Sequence, residues 1–496
     1  MAATKTNNTR QAAWIAVASM FSFGFTIVSS MILSRYFDKA DYGTYRQVFY
    51  VYNTLLMVFT LGLPKAFSYF LPRVERSQAK SLIRKITNLF FILGGLFSVL
   101  LLVGAPLIAE WMKNPDLAYG LRLFAVVPVL MLPTMGLEGI LATYRKTLFM
   151  TIYTIVTRIV MLLCVAGPVV LWHGSYIDAI IGFDIASVVA FVLALYFKYY
   201  PVRGETNEVC EVSYREIFSF SLPLLFASLW GIVIQSADQF FVSRYFGTEV
   251  FAEFSNGAIE LPFVGIIVSA CAAVLSPVFS RLSHEKVNFQ KEVLPLWMSV
   301  YEKTAKLIYP LVIYCLFFAD IVMVVLYGGK YESSSVFFQI KLIANFFTII
   351  SFAPLIINTG RVKYYQNVHM YGAISLVVLE YLSILLFNSP YVLTAVSVVC
   401  HIGRIFCMLW VVAEVFDVKF YQIFPVKIIL KILIPSFVIL SCGRFGIDCM
   451  SSYLRSPLEL FFISFLAYAF LFGVYAYVAK LDYIEIIRPL FINQRK

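Results

Sequence analysis

Eight ionisable side chains lie inside long apolar stretches of this sequence: Lys65, Glu138, Arg158, Asp184, Asp238, Glu260, Glu380 and Arg404. A charge at the centre of a lipid-facing helix costs about 2.5–3.5 kcal/mol even on lenient insertion scales, so each must be offset by something. Cations on different helices could converge on an anion such as a pyrophosphate, where loss of water strengthens the attraction. Carboxylates beside them, Asp238, Glu260, Glu380, Asp184 and Glu138, could bind a coupling cation or a proton. The structural alternative pairs Arg158 with Asp184 and Glu380 with Arg404 across neighbouring helices, away from any ligand. Lys65 stands apart because Leu61-Gly62-Leu63-Pro64 precedes it. Gly and Pro loosen a helix, so that a bend and freed carbonyls line a cavity. Arg35, Arg46 and Arg244 fall at helix ends and join the candidate anion-binding set, although snorkelling to the interface explains such positions at lower cost.

Other chemistries find little support. There is no Walker A sequence, no GxGxxG before a helix, no HExxH and no GxSxG, so no enzyme activity and no cofactor are expected. His173, His284, His369 and His401 are far apart in sequence and read as interfacial residues; no metal site is expected. The eight cysteines form no CxxC pair. The net charge of +11 is scattered through short loops, which argues against nucleic acid as a partner.

The elements that must position these residues are transmembrane helices. The chain of 496 residues is 61% hydrophobic and 14% charged, more apolar surface than a soluble fold of this length can bury. Apolar blocks of roughly 20 residues alternate with short polar turns, the length an α-helix needs to cross about 30 Å of hydrocarbon. They predict an all-α polytopic protein with about fourteen spans, near 12–33, 44–71, 86–112, 119–142, 149–172, 178–199, 217–241, 252–279, 304–327, 335–357, 368–388, 391–414, 428–448 and 457–479. The first is read as a span and not a signal peptide.

Lysine and arginine favour alternate connections, as expected of cytoplasmic loops. One set holds Arg73, Arg76, Lys80, Arg84 and Lys85; Arg145 and Lys146; Lys198, Arg203 and Arg215; Arg281, Lys286 and Lys291; Arg361 and Lys363; Lys419 and Lys427; and the tail, Lys480, Arg488, Arg495 and Lys496. The other set holds fewer, among them Arg35, Lys113, Arg244, Lys330, Lys341 and Arg455. Both termini are therefore expected in the cytoplasm.

Ser34-Arg35-Tyr36-Phe37 recurs as Ser243-Arg244-Tyr245-Phe246, each after an apolar span, and Ala18-Ser19 matches Ala227-Ser228 at the same offset. Six spans separate the copies, an even number, so the repeat is read as parallel. The expected organisation is an N-terminal six-helix lobe over 1–200, a cytoplasmic connector over 201–216, a second six-helix lobe over 217–416, and two additional helices with a tail over 417–496.

At these residues the chain resembles a known family. The run from Ser34 through Asp41-Tyr42-Gly43-Thr44-Tyr45, then Gly62-Leu63-Pro64 and Leu71-Pro72-Arg73, is similar to the opening of bacterial polysaccharide flippases, where an LxxxLGxxxYGxY turn joins the first two helices. Asp238-Gln239, Phe246-Gly247 and Asn256-Gly257-Ala258 resemble the matching turn between helices seven and eight. Phe37 and Ala252 stand where many members have glycine. The resemblance, to the polysaccharide branch of the multidrug/oligosaccharidyl-lipid/polysaccharide superfamily, implies two six-helix lobes in a V around a cationic central cavity. It implies alternating-access transfer of an undecaprenyl-pyrophosphate-linked oligosaccharide from the cytoplasmic to the outer leaflet of the bacterial inner membrane, for capsule or O-antigen. Lys65, Arg158 and Arg404 would hold the pyrophosphate. A proton gradient, a sodium gradient or the membrane potential would drive the cycle. Membrane lipids, a polysaccharide polymerase and glycosyltransferases are the expected partners. The competing readings are a multidrug or cation antiporter of the same superfamily, a flippase for the peptidoglycan lipid precursor, and a membrane-embedded transferase or polymerase.

Overall fold

Backbone in lipid must be bonded within its own segment, and the computed structural model, which describes residues 2–285, 287–350, 352–450 and 456–483, contains helices and no strand among them. Lys286, Arg455, Arg488, Arg495 and Lys496 lie outside the described residues. Chain contacts divide the molecule into two compact units, Met1–Ala252 and Glu253–Lys496.

The first unit begins with α1 (Ala2–Tyr36) and α2 (Lys39–Phe59), joined by a turn in which Asp38 caps α2 by accepting from the Asp41 N–H at 2.7 Å. The second span then breaks over residues 60–63 and resumes as α3 (Pro64–Phe70). Leu61 and Gly62 both take positive φ, 47° and 70°, and a Cβ on Gly62 would stand 2.8 Å from the Ser221 carbonyl oxygen. Only glycine tolerates that pairing of backbone and space. Pro64, at the first position of α3, has no N–H to leave unbonded. Next come α4 (Arg76–Trp111), α5 (Asp116–Phe124), α6 (Val127–Met131), α7 (Leu137–Thr143), α8 (Thr147–Trp172) and α9 (Tyr176–Tyr199). Ser175 and Asp178 form a capping box at the start of α9.

The connector after α9 is bound to α4 along one face. Ser77 donates to Glu208 Oε2 and its carbonyl accepts from the Glu208 N–H; Ser81 Oγ accepts from the Cys210 N–H; Lys85 Nζ donates to the carbonyls of Cys210 and Val212 at 3.2 and 2.7 Å. Spacing of four residues puts 77, 81 and 85 on one helical stripe. The chain then enters α10 (Tyr214–Gly257), bent at Gly247, where φ is 85°. Its part within the first unit meets a buried polar cluster: Gln47 Nε2 donates to Ser243 Oγ at 2.7 Å, and Asn114 Nδ2 donates to Gln47 Oε1 and Thr44 Oγ1 at 2.6 and 2.9 Å.

The second unit holds the end of α10, then α11 (Pro262–His284), α12 (Leu294–Phe317), α13 (Ala319–Tyr327), α14 (Ser334–Ile343), α15 (Asn345–Thr348), α16 (Ala353–Asn358), α17 (Val362–Phe387), α18 (Pro390–Phe416), α19 (Val426–Met450) and α20 (Pro457–Val478). The last two are built into this unit's core, to which Tyr468, Phe472, Ala476 and Leu481 contribute. Pro310 cannot donate to Lys306 O in α12, and Tyr483 O–H donates there instead at 2.8 Å. Tyr468 O–H donates to Pro310 O at 3.1 Å, and Arg444 grips Asp320 through two bonds of 2.8 and 2.7 Å.

Among the described residues, eleven helices are long and apolar enough to cross a membrane, or twelve with the pair Phe289–Phe317 and Ala319–Tyr327, bent by 81°. That tally leaves the expected count of about fourteen unconfirmed, and two of the expected segments are broken. The eighth is interrupted at 258–261, between α10 and α11, and the tenth is split into α14, α15 and α16. Hydropathy sees the apolar length of such segments but not the break. The turns after α7 and α16 share one conformation: Arg145 and Gly360 have positive φ, 57° and 80°, and the next residue, Lys146 or Arg361, bonds back to Leu141 O or Ile356 O.

Candidate functional site: a polar cluster in the second unit

The ionisable residues sort by unit. In the second, Arg404 lies half-buried near the middle of α18, its stem crossing α17 where Gly372 leaves room: a Cβ there would come within 3.2 Å of Arg404 Cδ. Arg404 Nη2 lies 2.8 Å from His401 Nδ1, one turn away on the same helix. From α17, His369 places Nδ1 2.9 Å from the Tyr365 carbonyl and rests on the Tyr365 ring, 4.3 Å between centroids. From α14, Lys341 Nζ reaches Ser397 Oγ at 3.3 Å, one turn below His401. The charges of Lys341, His369 and Arg404 all act on His401. Three helices thus bring Arg404, Lys341 and two imidazoles together.

The structural pairings do not form. No carboxylate among the described residues stands within ion-pair distance of Arg404 or Arg158: Arg158 Nη1 lies 4.0 Å from the Met161 sulfur and its charge acts on Tyr153, and Asp184 Oδ1 is buried without a hydrogen bond among the described residues. Glu380 is fully buried in α17 and makes contacts of its own. The interfacial reading of His369 and His401 is likewise corrected, since both sit half-buried inside spans beside Arg404. Lys341, counted among the turn residues, belongs to the same cluster. The available signal was His401 and Arg404 three apart in one apolar helix, which places them on one face.

In the first unit the candidates are dispersed. Lys65 is exposed on the first turn of α3, just past the break, and Glu138 is exposed on α7. Arg35 is exposed; Arg46 is half-buried in α2, where its charge acts on buried Tyr42; Arg244 donates to the Trp111 carbonyl. Asp238 is buried and accepts from the Gln239 N–H at 2.8 Å. Glu260 is exposed in the interruption between α10 and α11. One buried cation escaped the sequence reading: Lys198, counted with the connector, is fully enclosed, its Nζ unbonded and 4.8 and 5.5 Å from the ring centres of Phe67 and Phe90. Among the described residues no group of three His, Cys, Asp or Glu side chains could hold a metal ion.

What this arrangement can do is hold an anion. Arg404, with no carboxylate among the described residues within ion-pair distance, and the imidazoles and lysine beside it supply the hydrogen-bond donors and charge that a phosphate group requires on leaving water. Non-helical backbone at membrane depth survives only where protein or a polar cavity surrounds it, which the breaks at 60–63 and 258–261 therefore require.

Residues 9–283 match the model of a family described as polysaccharide biosynthesis protein. Among curated proteins, an uncharacterised membrane protein of Methanocaldococcus jannaschii is 22% identical over 325 residues, 61% of this chain and 63% of that one. A putative O-antigen transporter of Shigella flexneri is 22% identical over 198 residues, 38% of this chain and 46% of that one. The chain thus spans less than two thirds of the length of these relatives. Among solved structures, a lipid II flippase, MurJ, in an inward closed conformation aligns over 94% of this chain and 99% of its own, with a TM-score of 0.72 at 14% identity. An inward-facing multidrug transporter of the MATE family aligns over 83% and 99%, with a TM-score of 0.60 at 12% identity. At those identities the solved structures establish the fold alone.

Proposed function

We propose that this chain, which belongs to the polysaccharide biosynthesis protein family, is a flippase that moves a polyprenyl-pyrophosphate-linked oligosaccharide across the bacterial cytoplasmic membrane by alternating access. The observation that carries the reading is the half-buried Arg404, without a carboxylate partner among the described residues and flanked by His401, His369 and Lys341. A pyrophosphate bare in hydrocarbon is prohibitive, and such a cluster can replace its water. An antiporter for cationic drugs would want the opposite polarity there. Lys65 and Arg158 are the first unit's candidates for contact with the same anion, and Arg35, Arg46 and Arg244 for contact with it or its sugars. Asp184, Asp238, Glu260, Glu380 and Glu138 are candidates for the coupling ion.

The polyprenyl tail would remain in lipid while the charged head crosses. Each elementary charge moved through 100 mV is worth about 2.3 kcal/mol, so the membrane potential or an ion gradient suffices to drive the cycle. The excess of Lys and Arg on alternate connections supports cytoplasmic termini, and capsule or O-antigen assembly, with its polymerase and glycosyltransferases, is the setting.

The test is genetic and chemical together. Arg404→Ala and Lys65→Ala are expected to abolish surface polysaccharide while the protein stays in the membrane at normal amount. Polymer at wild-type levels in both variants overturns the assignment. Drug sensitivity on deletion, or rescue of cells depleted of their peptidoglycan-precursor flippase, would redirect the substrate.

A further inference from the structure

Arginine can only donate hydrogen bonds, so the contact between Arg404 Nη2 and His401 Nδ1 requires Nδ1 to present its lone pair. The imidazole in this arrangement is neutral. A proton added to Nδ1 would set N–H against N–H, and an imidazolium against a guanidinium 2.8 Å away, with Lys341 and His369 also acting on the ring. His369 differs: its Nδ1 faces the Tyr365 carbonyl, which only accepts, so that nitrogen carries its hydrogen whatever the site contains.

The surroundings of His401 hold few other charges. Its own helix contributes Arg404 and Cys400; α17 contributes Tyr365, His369 and Glu380, the last acting on Cys400; α14 contributes Lys341. The short helices α15 and α16, Asn-Phe-Phe-Thr and Ala-Pro-Leu-Ile-Ile-Asn, carry no ionisable side chain. The balance around the ring is therefore positive until an anion arrives.

We infer that Arg404 and His401 form a proton-linked anion site, in which a pyrophosphate draws the guanidinium onto its own oxygens and frees His401 Nδ1 to take up a proton. This rests on the reading of the cluster as the pyrophosphate site. One N–H bond forms at Nδ1 with a proton from water, and the new imidazolium donates to the anion. When the anion leaves, the proton returns to water and the guanidinium to Nδ1. Nothing is oxidised. Linkage is reciprocal, so the anion loads a proton and protons favour the anion. The site carries both, and the net charge moved per cycle is one less negative than the ligand's own. This makes His401 a coupling residue in addition to the carboxylates.

The experiment is nuclear magnetic resonance of the full-length protein in nanodiscs with ring-labelled histidine, which gives four imidazole signals for four histidines. His401 is assigned from His401→Gln, or by elimination from single substitutions of the other three should that variant not fold. The probes are geranylgeranyl pyrophosphate, inorganic pyrophosphate and the uncharged geranylgeraniol, at about pH 7. The expected result is a neutral His401 in the free protein, conversion to the imidazolium shift with either pyrophosphate compound, and no change with the alcohol. Conversion with the lipid compound alone assigns the site to a lipid-borne head. His401 remaining neutral while the pyrophosphate demonstrably binds overturns the proton linkage and leaves the anion site standing. An imidazolium already present in the free protein overturns the linkage too. No binding of either pyrophosphate compound overturns the anion site and the linkage together.

Discussion

The two units treat buried charge in opposite ways. The first disperses it: Lys198 is buried beside the rings of Phe67 and Phe90, Asp184 Oδ1 lacks a hydrogen bond among the described residues, and Arg158 lies near the Met161 sulfur and Tyr153. The second gathers Arg404, His401, His369 and Lys341 around the crossing of α17 with α18 and α14. Charges that are costly singly become a binding device when they converge, because one anion offsets all of them at once. On the proposed function, the second unit is the one that grips the ligand.

The strongest test of that contrast sets Arg404 against Lys198. Arg404→Gln is expected to lower export of polysaccharide by at least about 100-fold, since a charged hydrogen bond worth some 3 kcal/mol is lost at the proposed anion site, whereas Lys198→Met stays within about threefold of wild type. Equal losses, measured as surface polymer per cell at matched protein level, would erase the distinction. Next in size is the stability effect of Lys198→Met, which removes a buried, unbonded amino group and keeps its apolar stem; a gain of about 1–3 kcal/mol is expected in thermal unfolding in detergent. A stability loss would show that Lys198 has an unseen anionic partner.

Two smaller effects sharpen the picture of the second unit. Arg444→Ala breaks the paired bonds to Asp320 between α13 and α19 and is expected to cost about 1–3 kcal/mol of that unit's stability, with export little changed. Gly372→Ala places a methyl 3.2 Å from Arg404 Cδ, near enough to tilt the guanidinium but not to expel it. A two- to tenfold loss of export is expected, roughly 0.4–1.4 kcal/mol, from transport assays at unchanged Tm.

Much of this was legible in the residues. Apolar length located the spans, and Gly62 with Pro64 announced the break before Lys65, because both residues act through local backbone geometry. Arg404 was identifiable as an intramembrane charge. Its company was not: His369 and Lys341 come from other helices, and one sequence does not record which helix faces which. Lys198 was hidden for a related reason. It ends an apolar helix next to a basic connector, and composition there suggests solvent, while Phe67 and Phe90, far away in sequence, enclose it. The breaks at 258–261 and after α15 also escaped, since an apolar stretch looks alike whether its helix runs on or stops.

The strip of chain at 208–212 has a practical consequence. Its backbone is already claimed by Ser77, Ser81 and Lys85 of α4, whereas Arg203 and Gly204 just before it are exposed. A gene cut at 203/204 would yield two polypeptides, and the second would carry at its very start an address written for the first. Co-expressed fragments should find each other through that seam, while a cut at 210/211 should separate the address from its bearer.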